Sequence, residues 1–303
     1  MSPLLGRVSR GTAMTALLLV GALMMPGSAE VSENAGNAGH GSARAGQAVA
    51  SQKYGWQPSL FDFSWEYGEA LTDKPSRGTK RKGKWLDVST GSGRAARHNG
   101  GMMIESSYGV VTPRDVSPDF KDGDHGTTSV TLKGNPQTYG RWEVRFTTWT
   151  QSSDGDPYDV RFDLVPEGTS PDCRARSIKV AQVTATSNSV DIGAYSPSGD
   201  KSWTRTVSGV PIGARANEHA FAVEVAKDHI TWFIDGKPVG TTKDKAAVPG
   251  VPLTIRLSLI GNGNNEMRHT YALFDWMRGF PIDHGQHPKN GASLNTGTQH
   301  FSC

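Results

Sequence analysis

Ionisable side chains occupy every second position of Asp159-Val-Arg-Phe-Asp-Leu164 in this 303-residue chain. Side chains of an extended strand alternate between its two faces. Asp159, Arg161 and Asp163 therefore share one face, and Val160, Phe162 and Leu164 the other. Neighbouring carboxyls can exchange protons with a substrate. Carboxyls interleaved with a guanidinium can equally bind a polar ligand, or form ion pairs in solvent with no ligand at all. Ser177-Ile-Lys-Val180 alternates as well. So does Thr254-Ile-Arg-Leu-Ser-Leu259, which groups Thr254, Arg256 and Ser258. Between Arg174 and Asn188 there is no Asp or Glu.

Other chemistries find less support. There is no Gly-x-Ser-x-Gly nucleophile turn and no phosphate-binding loop. The histidines form no His-x3-His pair, which argues against zinc. Asp122-Gly-Asp-His-Gly126 and Asp154-Gly-Asp156 offer hard oxygen ligands, but neither has the spacing of a calcium loop, and both read as turns. The basic stretch from Lys74 to Lys84 is interrupted by Gly and Pro and reads as a solvated loop rather than a site for an acidic polymer. Trp149 and Trp203 could stack on sugars, although a tryptophan in a sandwich more often packs in the core.

The elements that must carry these residues are strands. Arg141-Trp-Glu-Val-Arg-Phe146 alternates, and His229-Ile-Thr-Trp-Phe-Ile234 leads into Asp235-Gly236. Asp-Gly between two strand-like runs marks a hairpin, because a type I′ turn needs positive φ at both centres. Hydrophobic residues make up 36% and charged residues 20%, with 36 Gly and 17 Pro. That mixture excludes coiled coils and helical bundles. The expected fold is all-β, an antiparallel two-sheet sandwich.

The ends read differently. Arg7 and Arg10 precede an apolar run over 13–25, and Gly27 and Ala29 stand at −3 and −1 of a cut after Ala29. Residues 1–29 read as a cleaved secretory signal. The run is shorter than the ~20 residues that span a bilayer, which sets a membrane anchor aside. Removing residues 1–29 lowers the formal charge from +3 to +1, so composition gives no reason to expect a nucleic-acid partner. Residues 30–53 are small and polar and read as a linker. One domain is expected over 54–283, and a loosely packed tail over 284–303. In an oxidising compartment Cys173 and Cys303 could pair, with two free thiols or an intermolecular bridge as alternatives.

Three segments carry a resemblance. Tyr139-Gly-Arg-Trp-Glu-Val-Arg145 is similar to the strand that precedes the active-site region of glycoside hydrolase family 16. The stretch from His219 through Val239, with its Asp235-Gly236 turn, resembles a hairpin of that family. Phe274-Asp-Trp-Met-Arg278 resembles its closing strand. The resemblance implies a concanavalin A-like jelly roll and a carbohydrate ligand. Family members carry Glu-x-Asp-x-(x)-Glu: nucleophile, tuning acid, and acid/base. The matching stretch here is Ser177-Ile-Lys-Val-Ala-Gln182, so Ser177, Lys179 and Gln182 replace all three acids. Retaining hydrolysis needs two carboxyls about 5–5.5 Å apart. Ser177 has no evident base beside it, and the amide of Gln182 cannot act as a titrating acid. The resemblance also places Asp191 and Ser258 where the family often has a His and an Asn. No cofactor is expected, and structural calcium, which relatives often bind, stays open although neither Asp stretch has the spacing of a calcium loop.

The expected site is a cleft of mixed charge: Asp159, Arg161, Asp163, Ser177, Lys179, Gln182, Asp191, Arg256 and Ser258. The expected function is an exported, monomeric protein that binds a polysaccharide or cell-envelope glycan without cleaving it. Two alternatives stand beside it. One is an active β-glycosidase with relocated carboxyls, Asp163 and Asp191. The other is a structural or interaction module that binds no sugar.

Overall fold

The computed structural model describes residues 48–65, 85–89, 94–98, 101–106, 126–150, 155–169, 173–185, 187–213, 218–263 and 267–299. The signal, the basic loop and Cys303 lie outside the described residues. A single turn of helix, α1 (Ala50–Lys53), precedes the strands. The first are β1 (Phe61–Phe63), β2 (Trp85–Ser89), β3 (Arg94–His98), β4 (Gly101–Glu105), β5 (Thr128–Lys133) and β6 (Gly140–Thr150). Then come β7 (Asp159–Pro166), β8 (Ile178–Thr184), β9 (Ser189–Tyr195), β10 (Lys201–Ser208) and β11 (His219–Val225). The chain continues through β12 (Ile230–Ile234), β13 (Lys237–Thr242), β14 (Leu253–Ile260), β15 (Thr270–Phe280) and β16 (Asn295–Thr298).

The strands form two antiparallel sheets. One runs β13-β12-β11-β6-β15-β4-β3, with β1 also paired to β15. The other runs β16-β10-β9-β8-β7-β14-β5-β2. The alternating sequences make each sheet apolar on one side, and the two apolar sides meet. Trp142, Val144, Phe146, Phe221, Val223, Trp232 and Phe274 come from the first sheet. Val160, Phe162, Leu164, Ile178, Val183, Ile192, Leu257 and Trp203 come from the second. Fully burying one such side chain stabilises by roughly 1.5–3 kcal/mol. Trp203 is thus core. Trp149 is only partly buried and stacks on Tyr271, with ring centroids 5.1 Å apart. Asp235 and Gly236 have φ of 48° and 68°, the pair of positive values that a type I′ turn between β12 and β13 requires.

Two stretches that composition assigns to linker and tail carry structure. Ala50 is buried with Tyr54, Trp56, Ala222, Phe233 and Phe280 in a second apolar cluster, on the other side of the first sheet. Glu143 accepts from the backbone N–H of Ala50 (2.6 Å) and from the Ser51 hydroxyl (2.6 Å). Residues 284–299 are pinned too. The Gln286 N–H donates to the Tyr54 carbonyl, and the Gly291 N–H to the Thr241 hydroxyl. β16 extends the second sheet beside β10. A Cβ at Gly291 would collide with the backbone of Gly240, so only glycine lets the segment run this close. Small polar residues can be ordered when their backbone groups find partners, which composition does not record. Cys173 is disulfide-bonded, and the chain has one other cysteine.

Candidate functional site: the polar face of strands β7, β8 and β9

The polar face of the second sheet centres on β8, and β8 carries an extra residue. Lys179 pairs with Asp163 on β7 and with Gly193 on β9. Gln182 pairs with Arg161 and Asp191. Between these two levels Val180 and Ala181 on β8 oppose one residue on each neighbour, Phe162 or Ile192. An unbroken strand would point residues three apart to opposite faces. The bulge restores them to one face, and the two consecutive residues Val180 and Ala181 are both buried on the other.

A chain of hydrogen bonds then fixes the amide. Arg161 Nη2 donates to Gln182 Oε1 at 2.8 Å. Gln182 Nε2 donates to Asp159 Oδ2 at 2.8 Å, and the Thr184 hydroxyl donates to Asp159 Oδ1 at 2.9 Å. Gln182 is therefore held at both ends of its amide, by a cation and an anion. Arg161 Nε lies 3.7 Å from Asp163 Oδ2, too far for a hydrogen bond, and is buried without an acceptor. Asp191 turns towards β10, where Thr206 donates to its Oδ1 at 2.5 Å.

Asp163 and Lys179 are held away from their ordinary titration. Burial pushes the Asp163 carboxyl above the usual carboxylate range, against the pull of Arg161, Lys179, Arg174 and Arg256. Burial lowers the Lys179 ammonium, Arg161 lowers it further, and Asp163 and Asp191 oppose both. No hydrogen bond or ion pair among the described residues reaches the Lys179 ammonium. Tyr195, whose hydroxyl sequence reasoning passed over, is raised by burial.

The remaining expected site residues are less open. Ser177 is buried, and its hydroxyl donates to the Arg174 carbonyl at 2.6 Å. Ser258 is buried and shares a hydrogen bond with Ser129. Arg256 donates to the Thr131 hydroxyl and the Thr169 carbonyl. Asp159, Arg161, Asp163, Lys179, Gln182 and Asp191 thus form the central group, while Ser177, Arg256 and Ser258 serve neighbouring segments. Thr184 and Thr206 join the group without having been singled out. Both hold an aspartate that was; a period-two count from Gln182 reaches Thr184, whereas Thr206 is brought in only by the pairing of β9 with β10. Among the described residues no three His, Cys, Asp or Glu side chains are grouped to hold a metal ion.

Asp163 and Asp191 are badly placed to share one glycosidic bond. They lie on strands either side of β8, at different levels of the register. Two strand spacings and two residues along the strand separate their Cα atoms by about 12 Å. Asp191 also leans away from β8, towards Thr206.

Residues 176–278 match the model of the glycosyl hydrolases family 16. The resemblance read from the sequence therefore holds over the strand that carries Lys179 and Gln182. Solved structures of the same fold include the laminarinase catalytic domain from Thermotoga maritima, at 16% identity over 76% of this chain and 99% of that one, with a TM-score of 0.53. The endo-beta-1,3-glucanase from Pyrococcus furiosus matches at 16% identity, 76% and 96% coverage and a TM-score of 0.52. The laminarinase from Rhodothermus marinus matches at 15%, 75% and 97%, with a TM-score of 0.51. No curated protein matches the chain.

Proposed function

From the resemblance to glycoside hydrolase family 16, we propose that this chain is an exported carbohydrate-binding protein that does not hydrolyse its ligand. One observation carries the reading. Gln182, at the position where the family has its acid/base, is tied at one end of its amide to Arg161 and at the other to Asp159. An amide offers no titrating proton to a leaving group. Lys179 brings a cation to the neighbouring position, and the Ser177 hydroxyl is turned to the Arg174 carbonyl. The face retains what a sugar-binding surface needs, donors and acceptors fixed in place by one another. Of the structures with this fold, one is named an endo-beta-1,3-glucanase and two are named laminarinases, which makes a β-linked polysaccharide the first ligand to try.

A second reading keeps hydrolysis and assigns it to Asp163. Its raised carboxyl has the character of a general acid. A retaining or inverting mechanism still needs a second carboxyl within about 9.5 Å, and Asp191 leans the wrong way. Titrating one purified batch with neutral β-glucans while assaying reducing ends separates the readings. Saturable binding with no new reducing ends supports the first. Turnover abolished by Asp163→Asn supports the second.

A further inference from the structure

Resting on the proposed glycan-binding role, we infer that the Arg161–Lys179 pair is an anion subsite that selects acidic polysaccharides over neutral ones. Arg161 and Lys179 project from adjacent strands onto one face, diagonal to each other across the bulge. Cations so placed repel, and a protein keeps such a pair only against a compensating charge. The nearest compensating charge is Asp163. Asp163 sits beside both, yet its Oδ2 stays 3.7 Å from Arg161 Nε, which has no acceptor. Burial also weakens the hold of Asp163 on its proton-free form. Asp159 is occupied by Gln182 and Thr184, and Asp191 by Thr206. Arg174 and Arg256 add positive potential around Asp163.

The pair therefore offers cationic donors to an oxyanion. Lys179 contributes an ammonium with no partner among the described residues. Arg161 contributes a guanidinium already oriented by Gln182, in a residue only 7% exposed. Charge-assisted hydrogen bonds to a half-buried oxyanion are among the stronger polar contacts. The ligand class is a polysaccharide bearing carboxylate or sulfate groups. The geometry fits either, so both enter the test.

Three probes decide it: polygalacturonate for carboxylate, dextran sulfate for sulfate, and laminarin for a neutral chain. Affinities are measured on the full secreted chain at fixed salt, for wild type, Lys179→Met, Arg161→Gln and Lys237→Met. The last removes an exposed charge from the start of β13 and reports non-specific attraction. The expected result is tighter binding of at least one acidic probe than of laminarin. Lys179→Met and Arg161→Gln should each cost at least about tenfold, roughly 1.4 kcal/mol, on that probe and little on laminarin. Lys237→Met should change neither. If laminarin binds best and Lys179→Met leaves it unchanged, the subsite is wrong while glycan binding stands. If acidic probes bind but lose as much with Lys237→Met, the attraction is general and the subsite is wrong. If no probe binds, the subsite and the glycan-binding role fall together. Both site variants are checked by thermal melting, and Lys179→Met retains the backbone carbonyl and most of the stem.

Discussion

The indole Nε1 of Trp232, on β12, donates to the backbone carbonyl of Lys179, on β8, at 2.9 Å. The first sheet thus reaches through the core and holds the second at the edge of its bulge. The bond gives the partly buried carbonyl an acceptor role at an irregular point of the ladder. The contact bears on the candidate site, because the bulge is what turns Lys179 and Gln182 to one face.

Trp232→Phe keeps a ring in the core and removes the donor. It should destabilise the protein by about 0.5–1.5 kcal/mol for the lost hydrogen bond, plus the cost of the lost contacts. Glycan affinity should fall beyond what Ile104→Ala, a core change on β4, produces at equal loss of stability. Urea unfolding and titration on the same samples compare the two.

Glu143 anchors α1, and burial raises its carboxyl pKa above 4.5 despite the hydrogen bonds from Ser51 and Ala50. A raised carboxyl favours the folded state at low pH, and that contribution is lost as pH climbs from 4.5 through the folded value. Glu143→Gln should therefore cost less at pH 7 than at pH 4. Glu143→Ala strands the buried donors at any pH and should cost about 1–3 kcal/mol. Chemical denaturation at both pH values distinguishes them.

His219 Nδ1 lies 2.7 Å from Asp235 Oδ2, and this bond raises the histidine above 6.5. The stabilisation is complete below 6.5 and is lost as pH rises through the folded pKa. Asp235→Asn leaves a residue that tolerates positive φ, so the turn should survive. Ring titration by NMR should show the His219 pKa falling, and stability should vary less with pH above 6.5.

Lys179 is surrounded by Arg161, Asp163, Asp191 and Arg174, and its pKa lies below 10.5. A bound oxyanion would favour its charged form. Binding of an acidic glycan should then take up protons, and affinity should decline as pH rises, beginning below the range of an ordinary lysine. Calorimetry in two buffers of different ionisation enthalpy measures the uptake. Lys179→Met should remove it.

Much of this was legible in the residues themselves. Period-two patterns in Asp159–Leu164 and Thr254–Leu259 gave the strand faces, since one apolar side must be buried. Asp235-Gly236 gave its hairpin because few residues tolerate the turn. The bulge was half visible. Val180-Ala181 breaks the alternation, but sequence does not say whether such a break ends a strand or bulges it. The partners of the Ser177 and Ser258 hydroxyls, the Arg174 carbonyl and Ser129, were not legible because loop path and strand order set them. Residues 48–53 and 284–299 were unreadable for the same reason. What holds them is Glu143, Tyr54 and Thr241, all distant in sequence.

The central claim is that the altered β8 binds glycan without cleaving it. Product analysis tests it most directly: one batch is incubated at saturating ligand with laminarin and with the acidic probes, and reducing ends are counted over days. The account predicts saturable binding and no new reducing ends above a heat-denatured control. New reducing ends that rise with protein concentration and vanish in Asp163→Asn would contradict it.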